Sequence, residues 1–563
     1  MILVAALATY IPAMSAGFIW DDAQHLTRNS VVRDPIGIWR AWVSPDTANS
    51  FPLTASVFWL QVRLGDVFHI WNLDFLLEHA DGGVFSGYHV VNILLHGIAA
   101  VLTWRVLLVL RIPGAWAVAL IFAVHPVCVA SVAWISELKN TLSQVLFLLT
   151  LLTYLWFDAN ERTSTYLWAV VWFCLALLAK PSVVPLPAVL LLYSWWQRGE
   201  IARRDAVRAA PFLVAASIAG IAAVYLPSGG GAGAEVIPIG GPASRVASAG
   251  ISLCFYLSKA ICPLNLIPIY PAWDVALPAW HDFLPAVALV VVFVVYWRQR
   301  IRSSTRAMLF ALGYYTIMLL PALGLVKMSY MRVAPVADHF QYLALPGIIA
   351  LAVVAAMRWL PRPAWTPVAA VVVMTLSGLS WMHSATYRNE EALWTETLKR
   401  NPHSWQAHNL LGVALWKKGD PASQADMFMH FQRAAELNPE NLEVHNNLAL
   451  VYAARGRMDL AIEEYTRAIN IKDDASVRTN LAIAFSAVKR YADAEAQYQR
   501  AVEIDPGNPS RYSNLGYVLM QQGRLAEAIE QFRKALQIDP NLPEARQNLR
   551  FAVNQLERRQ DLR

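Results

Sequence analysis

The chain has 563 residues, of which 56% are hydrophobic and 15% charged, and its mean hydropathy is +0.38. Soluble domains carry about 25% charged residues, so these proportions exclude a wholly water-soluble protein. The formal net charge of +6 resides in residues 1–383, with 23 Lys and Arg against 17 Asp and Glu, whereas residues 384–563 hold 23 of each; a basic excess confined to the apolar part suits loops facing anionic lipid and argues against nucleic acid as a partner.

A bilayer span takes about 20 mainly apolar residues. Such runs predict helices near 2–19, 88–110, 114–130, 141–157, 165–180, 183–197, 209–226, 283–297, 307–326, 340–357 and 364–383. The expected fold is therefore all-α, a polytopic membrane bundle of about eleven spans over 1–383. The first run ends in Ala-Met-Ser-Ala before Gly17, as a cleaved leader does, but it lacks a basic start and is expected to stay as an anchor. Arg198, Arg203, Arg204 and Arg208, then Arg298, Arg300, Arg302 and Arg306, with Arg111, Arg162, Arg358 and Arg362, mark the loops that should share the cytoplasmic side. They do so if 244–262, with its Gly, Ser and Pro content and Lys259, is re-entrant or interfacial and does not cross. Residues 20–87 then form the first extracytoplasmic loop. The cysteines Cys128, Cys174, Cys254 and Cys262 stand in apolar surroundings without a CxxC, which argues against a disulfide framework or a zinc site.

Composition turns polar after Met382, and 384–403 is expected to be a connector helix. Asn447-Leu448-Ala449, Asn480-Leu481-Ala482 and Asn514-Leu515-Gly516 then recur at 33 and 34 residues. Each is followed by small and aromatic residues in fixed places: Gly456, Ala461, Tyr465 and Ala468; Ala494, Tyr498, Ala501 and Pro506; Gly523, Ala528, Phe532, Ala535 and Pro540. Lys489 replaces the glycine of the middle unit, and Asp473 stands at a proline position. This period is that of tetratricopeptide repeats, where small residues let two helices approach and an aromatic ring fills the gap. A looser first unit spans about 404–439, and 543–556 should cap the α-solenoid that occupies 404–563.

Ionisable residues at membrane depth or its edge are costly and hence candidates for function. Asp21 and Asp22 follow the first span; either could act as a base toward a hydroxyl, or the two could bind a divalent cation. As an isolated pair they would equally suit a solvated helix end. His125, Glu137, Lys139, Lys180, Asp338, His339 and Tyr342 all reach the same face in the topology above. Separate segments thus bring acids, cations and histidines to one level, although Lys180 alone could snorkel, His125 cap a helix and Lys139 pair with Glu137.

The string Trp20-Asp21-Asp22, Arg28-Asn29, Pro52-Leu53-Thr54, Tyr88-His89-Val90-Val91-Asn92, His125-Pro126, Ala179-Lys180-Pro181 and Asp338-His339-Phe340-Gln341-Tyr342, ending in the repeats, has a recognisable order. It resembles bacterial membrane proteins with tetratricopeptide repeats that are related to the transmembrane O-mannosyltransferases of animals, within the GT-C glycosyltransferase superfamily. The resemblance implies an inverting transfer from a sugar on a polyprenyl phosphate, the lipid-linked donor, to a hydroxyl of an exported protein or glycan. By the same resemblance the catalytic acidic residue falls on Asp22 or Asp21. Lys180, Lys139, Arg332 and His339 are then the expected donor-phosphate ligands. Two positions depart from the pattern: Ala130 where relatives usually have Glu, and His339 where they commonly have Arg. The expected location is the bacterial inner membrane, with the repeats outside and their groove taking a protein partner. The alternative is a non-catalytic anchored scaffold for an envelope or polysaccharide-assembly complex; a transporter would place its charges at mid-depth instead.

Overall fold

The computed structural model describes residues 1–43, 51–68, 86–225, 240–325 and 329–561. Residues 44–50 and 69–85 of the 20–87 loop, and the side chain of Arg332, lie outside the described residues. Among the described residues the chain is helical, without strands. It divides into two compact units, Met1–Pro402 and His403–Arg563.

Among the described residues of the first unit, five helices have the length and apolarity to cross a bilayer: Gly87–Val109, Ile135–Asn160, Arg203–Ala222, Trp280–Arg298 and Arg362–Tyr387. Ala115–Ala123 and Pro126–Ala133 have the combined length and apolarity of a further span but are bent by 49° where Pro126 removes a backbone donor, the shape of a broken span or a re-entrant loop. Thr163–Ala179 and Leu345–Trp359 are apolar but shorter. The expected eleven spans are thus mostly present as helices, yet several fall short of spanning length. The first is the extreme case: it breaks at Tyr10 into Ile2–Thr9 and Ile11–Met14. The chain then runs on irregularly, with the Ser86 N–H donating to Met14 O and the Gly17 N–H to Arg388 O. Leu284–Arg298 buries none of its residues against the chain and exposes Val290, Val291 and Phe293, as a lipid-facing helix does.

The arginine-bearing loops gather at one end of this unit. Arg208 pairs with Asp158 at 3.2 Å and Glu161 at 2.9 Å, while Arg198 pairs with Asp158 at 3.6 Å and with Asp205. Residues 242–261 form one continuous helix, Pro242–Ile261. Its start meets the opposite end of the bundle, Arg245 donating to Leu325 O, and its finish meets that end again, His125 Nε2–H donating to Ala260 O at 3.2 Å. Gly250 lies so close to Ala286 that a Cβ would come within 2.7 Å. The helix therefore lies across the bundle end away from the arginines.

The second unit stacks four helix pairs among its described residues, from Trp405–Lys418 with Gln424–Leu437 to Pro509–Gln521 with Leu525–Ile538, closed by Pro543–Asp561. Ser404, Asn441, Asp474 and Asn508 cap the first helix of each pair by accepting from a backbone N–H. Gly412 and Gly516 admit the rings of Phe431 and Phe532, which a Cβ would meet at 2.9 and 2.8 Å. The turns within the last three pairs use left-handed residues: Gly456 at φ 73°, Lys489 at φ 61° and Gly523 at φ 80°. Ala461, Ala468, Ala482, Ala494 and Ala528 are fully buried around Tyr465, Tyr498 and Phe532.

Candidate functional site

Apart from Asp205, which pairs with Arg198, the first unit gathers its buried acidic residues at the end away from the arginines. Asp21 precedes the short helix Asp22–His25. The Asp22 carboxylate is wholly buried, and each oxygen accepts a backbone N–H: Oδ2 that of Ile19 at 2.9 Å and Oδ1 that of Ser136 at 2.7 Å. Asp21 keeps 27% of its side chain exposed; its Oδ1 accepts the Ser136 hydroxyl at 2.6 Å and its Oδ2 faces His25 Nε2 at 3.4 Å. Burial and the charge of Asp21 push Asp22 well above the usual carboxylate range. Burial also acts to raise Asp21, but the His25 hydrogen bond, Lys139 and Ser136 outweigh it and hold Asp21 below that range. Asp21 is therefore the carboxylate that stays ionised and has an open edge.

Glu137, 2% exposed, lies beside this pair and binds two cations, Lys139 Nζ at 3.0 Å and Lys180 Nζ at 3.4 Å. Asn140 knits them together: Lys180 donates to its Oδ1 at 2.6 Å, and its Nδ2 donates to Glu137 Oε2 and to His339 O at 3.4 Å. The local chain supports this. Trp134 and Ile135 offer their carbonyls to Asn92 Nδ2 at 3.0 and 3.3 Å, which holds the bend between Val129–Ala133 and the following helix. Lys180 leaves the helix Thr163–Ala179 in an extended conformation because Pro181 follows.

An aromatic wall is built around Trp20, the residue before Asp21. Trp20 stacks on Trp134 with centroids 5.1 Å apart, meets Trp394 edge-on at 5.0 Å, and lies 5.9 Å from Tyr330. Trp20 has φ 48°, an unusual left-handed conformation for a bulky residue. His339 packs edge-on against Trp134 and Tyr330. Burial pushes His339 down to about 4 against the pull of Glu137, so it is neutral at pH 7.

Asp21, Asp22, Glu137, Lys139, Lys180 and His339 thus share one cluster. Three other candidates make separate contacts. His125 accepts the Val127 N–H at its own helix start. Tyr342 donates to His96 Nδ1 at 2.8 Å, since His96 Nε2–H is committed to Ala123 O. Asp338 accepts from the Tyr270 hydroxyl at 2.9 Å, and burial raises it to about 7. Sequence reasoning missed Asn140, Ser136 and the aromatic wall; for His25 a signal existed, its i,i+4 spacing from Asp21. Among the described residues, no group of three or more His, Cys, Asp and Glu is placed to hold a metal ion. Asp22 is wholly buried, so the part-exposed carboxylate of the pair that could meet a cation is Asp21.

Sequence profiles described as tetratricopeptide repeat match residues 388–428, 440–506 and 479–543. Part of the chain is 28% identical over 193 residues to protein O-mannosyl-transferase Tmtc1 of Drosophila melanogaster, covering 32% of this chain and 20% of that protein. It is 33% identical over 155 residues to Tmtc2 of the same fly, covering 27% and 16%, and 30% identical over 175 residues to TMTC2 of Mus musculus, covering 30% and 19%. The chain thus spans about a fifth of the length of the curated relatives it matches. Solved structures similar to part of it include YrrB, a tetratricopeptide-repeat protein with an unusual peptide-binding site, at 18% identity over 29% of this chain and 84% of that one, TM-score 0.27. MamA is 20% identical over 27% and 86%, TM-score 0.25. The profile matches and the partial identities, with apolar helices of spanning length in the first unit and helix pairs in the second, make the chain, helical among its described residues, a membrane protein with tetratricopeptide repeats that is related in part to the protein O-mannosyl-transferases.

Proposed function

We propose that the chain is a glycosyltransferase of the bacterial inner membrane that moves a sugar from a polyprenyl phosphate to a hydroxyl of an exported protein or glycan. The observation that carries this reading is the placement of a part-exposed, ionised Asp21 beside two lysines anchored on a buried glutamate. Asp21 accepts the proton of the acceptor hydroxyl as its oxygen attacks the anomeric carbon. Asp22, buried and held by two N–H groups, fixes the segment that presents Asp21 and so acts as a positioning residue. The ammonium groups offset charge developing on the leaving phosphate, an effect often worth several kcal/mol in a site poor in water. Lys180 donates one hydrogen bond to Glu137 and one to Asn140, so one of its three N–H donors remains for the phosphate. The repeats, lying outside the membrane, recruit the acceptor or a partner.

Asp21→Asn should lower transfer about 100- to 10,000-fold, the usual contribution of a general base, while the protein still inserts and accumulates. Intact masses of exported proteins from a deletion strain carrying this variant measure the effect. Undiminished glycosylation would sink the base assignment. The repeat array with its closing helix favours a second reading, an anchored scaffold. Residues 404–563 on an unrelated single-span anchor would then complement the deletion strain, an outcome incompatible with the enzyme.

A further inference from the structure

A cavity of about 370 Å³ lies between helices at the arginine end of the first unit. Its volume is within the range of small-ligand pockets, about 300–1,000 Å³. The walls are apolar, with Leu107, Leu151, Phe310 and Val354 among them, whereas the rim carries Trp196, Trp359 and Arg358. Arg111 sits in the left-handed turn whose neighbours Leu110 and Ile112 also line the cavity.

Arg198 and Arg208 at this end are committed to Asp158, Asp205 and Glu161. Among the described residues, the guanidinium groups of Arg358 and Arg111 have no hydrogen bond or ion pair. An apolar slot that ends in unpaired guanidinium groups, with indole rings at the boundary, matches an amphiphile with a hydrocarbon chain and an anionic head.

The sugar donor is a poor fit for that description. Asn92, at the Glu137 end, and Leu107, in the cavity wall, lie on one helix, Gly87–Val109. At about 1.5 Å per residue they are about 22 Å apart. A phosphate held by Lys180 cannot also meet Arg358. We infer that the cavity holds an acyl chain of an anionic phospholipid from the leaflet at the arginine end, with its phosphodiester on Arg358. This site is separate from the Asp21 cluster and stands whether or not that cluster transfers sugar.

The test is native mass spectrometry of the detergent-solubilised full chain, titrated with phosphatidylglycerol and, separately, with phosphatidylcholine. The wild type should retain one phosphatidylglycerol in preference to phosphatidylcholine. Arg358→Gln, at an exposed position that leaves packing intact, should weaken phosphatidylglycerol by about fivefold, the ratio that one cation near an anionic lipid is worth, and leave phosphatidylcholine unchanged. Ala311→Trp, which fills the cavity, should abolish the retained lipid altogether. Equal retention of both lipids with no response to Arg358→Gln would overturn the headgroup assignment. Displacement of phosphatidylglycerol by an equal amount of polyprenyl phosphate, in a manner insensitive to Arg358→Gln, would overturn the choice of occupant.

Discussion

Glu137 is the residue on which the charged cluster depends, and its removal has a calculable effect. In Glu137→Gln the side chain keeps its shape, but Lys139 at 3.0 Å and Lys180 at 3.4 Å lose their common counter-charge. The new amide also turns an N–H toward one of three donors, the two ammonium groups or Asn140 Nδ2. Breaking a buried ion pair from one side costs about 3–5 kcal/mol. The lysines retain 13% and 12% exposure, which lets water reach them and places the expected loss near the lower figure, about 3 kcal/mol. Thermal unfolding of the solubilised full chain would show this as a lowered midpoint. The double variant Glu137→Gln with Lys180→Gln removes one surplus cation and should recover about 1–2 kcal/mol, within the range of couplings between residues in contact. A Glu137→Gln protein as stable as the wild type, or two substitutions whose effects simply add, would refute the view that Glu137 holds the lysines in place.

Three further outcomes are expected. Lys489→Gly should stabilise the repeats by about 0.5–1 kcal/mol, because a left-handed non-glycine residue costs about 1–2 kcal/mol and glycine returns part of that as backbone entropy; hydrogen exchange in Tyr491–Ile504 reads the gain. The hydrogen bond of His445 Nδ1–H to Glu464 at 2.6 Å raises the imidazole above its ordinary value, against burial. Its contribution is therefore complete below the unfolded value of about 6.5 and is lost as pH rises through the higher folded value, so protection of Leu442–Ala454 should fall from pH 6 to pH 8 in the wild type and not in His445→Gln. With the native cysteines removed, single cysteines at Ser303 and Ser510 should report opposite sides, an impermeant maleimide reaching only Ser510 once the outer barrier is opened; labelling of Ser303 alone would invert the proposed orientation.

The repeats were legible in the sequence because their packing is local and periodic: the glycine that admits a ring and the alanine that admits a helix recur one turn-helix unit apart. The apolar runs likewise announced the helices of the first unit, since length and hydropathy are properties of a segment. Span length was less secure, because a break such as that at Tyr10 depends on what the chain must reach next. The acidic pair, Glu137 and the lysines could be nominated from the cost of charge near a membrane. Their assembly could not: Asp21 meets Ser136 across 115 residues and Lys180 meets Glu137 across 43. The division of labour between the aspartates was also beyond sequence, because adjacent identical carboxylates differ only in which one the fold buries against two N–H donors. His125, Asp338 and Tyr342 looked equivalent to the others on a topology diagram. Each was instead taken up by a nearer hydrogen-bond partner, and only the tertiary structure decides that competition, because a buried polar group must be satisfied by whatever the fold brings within reach.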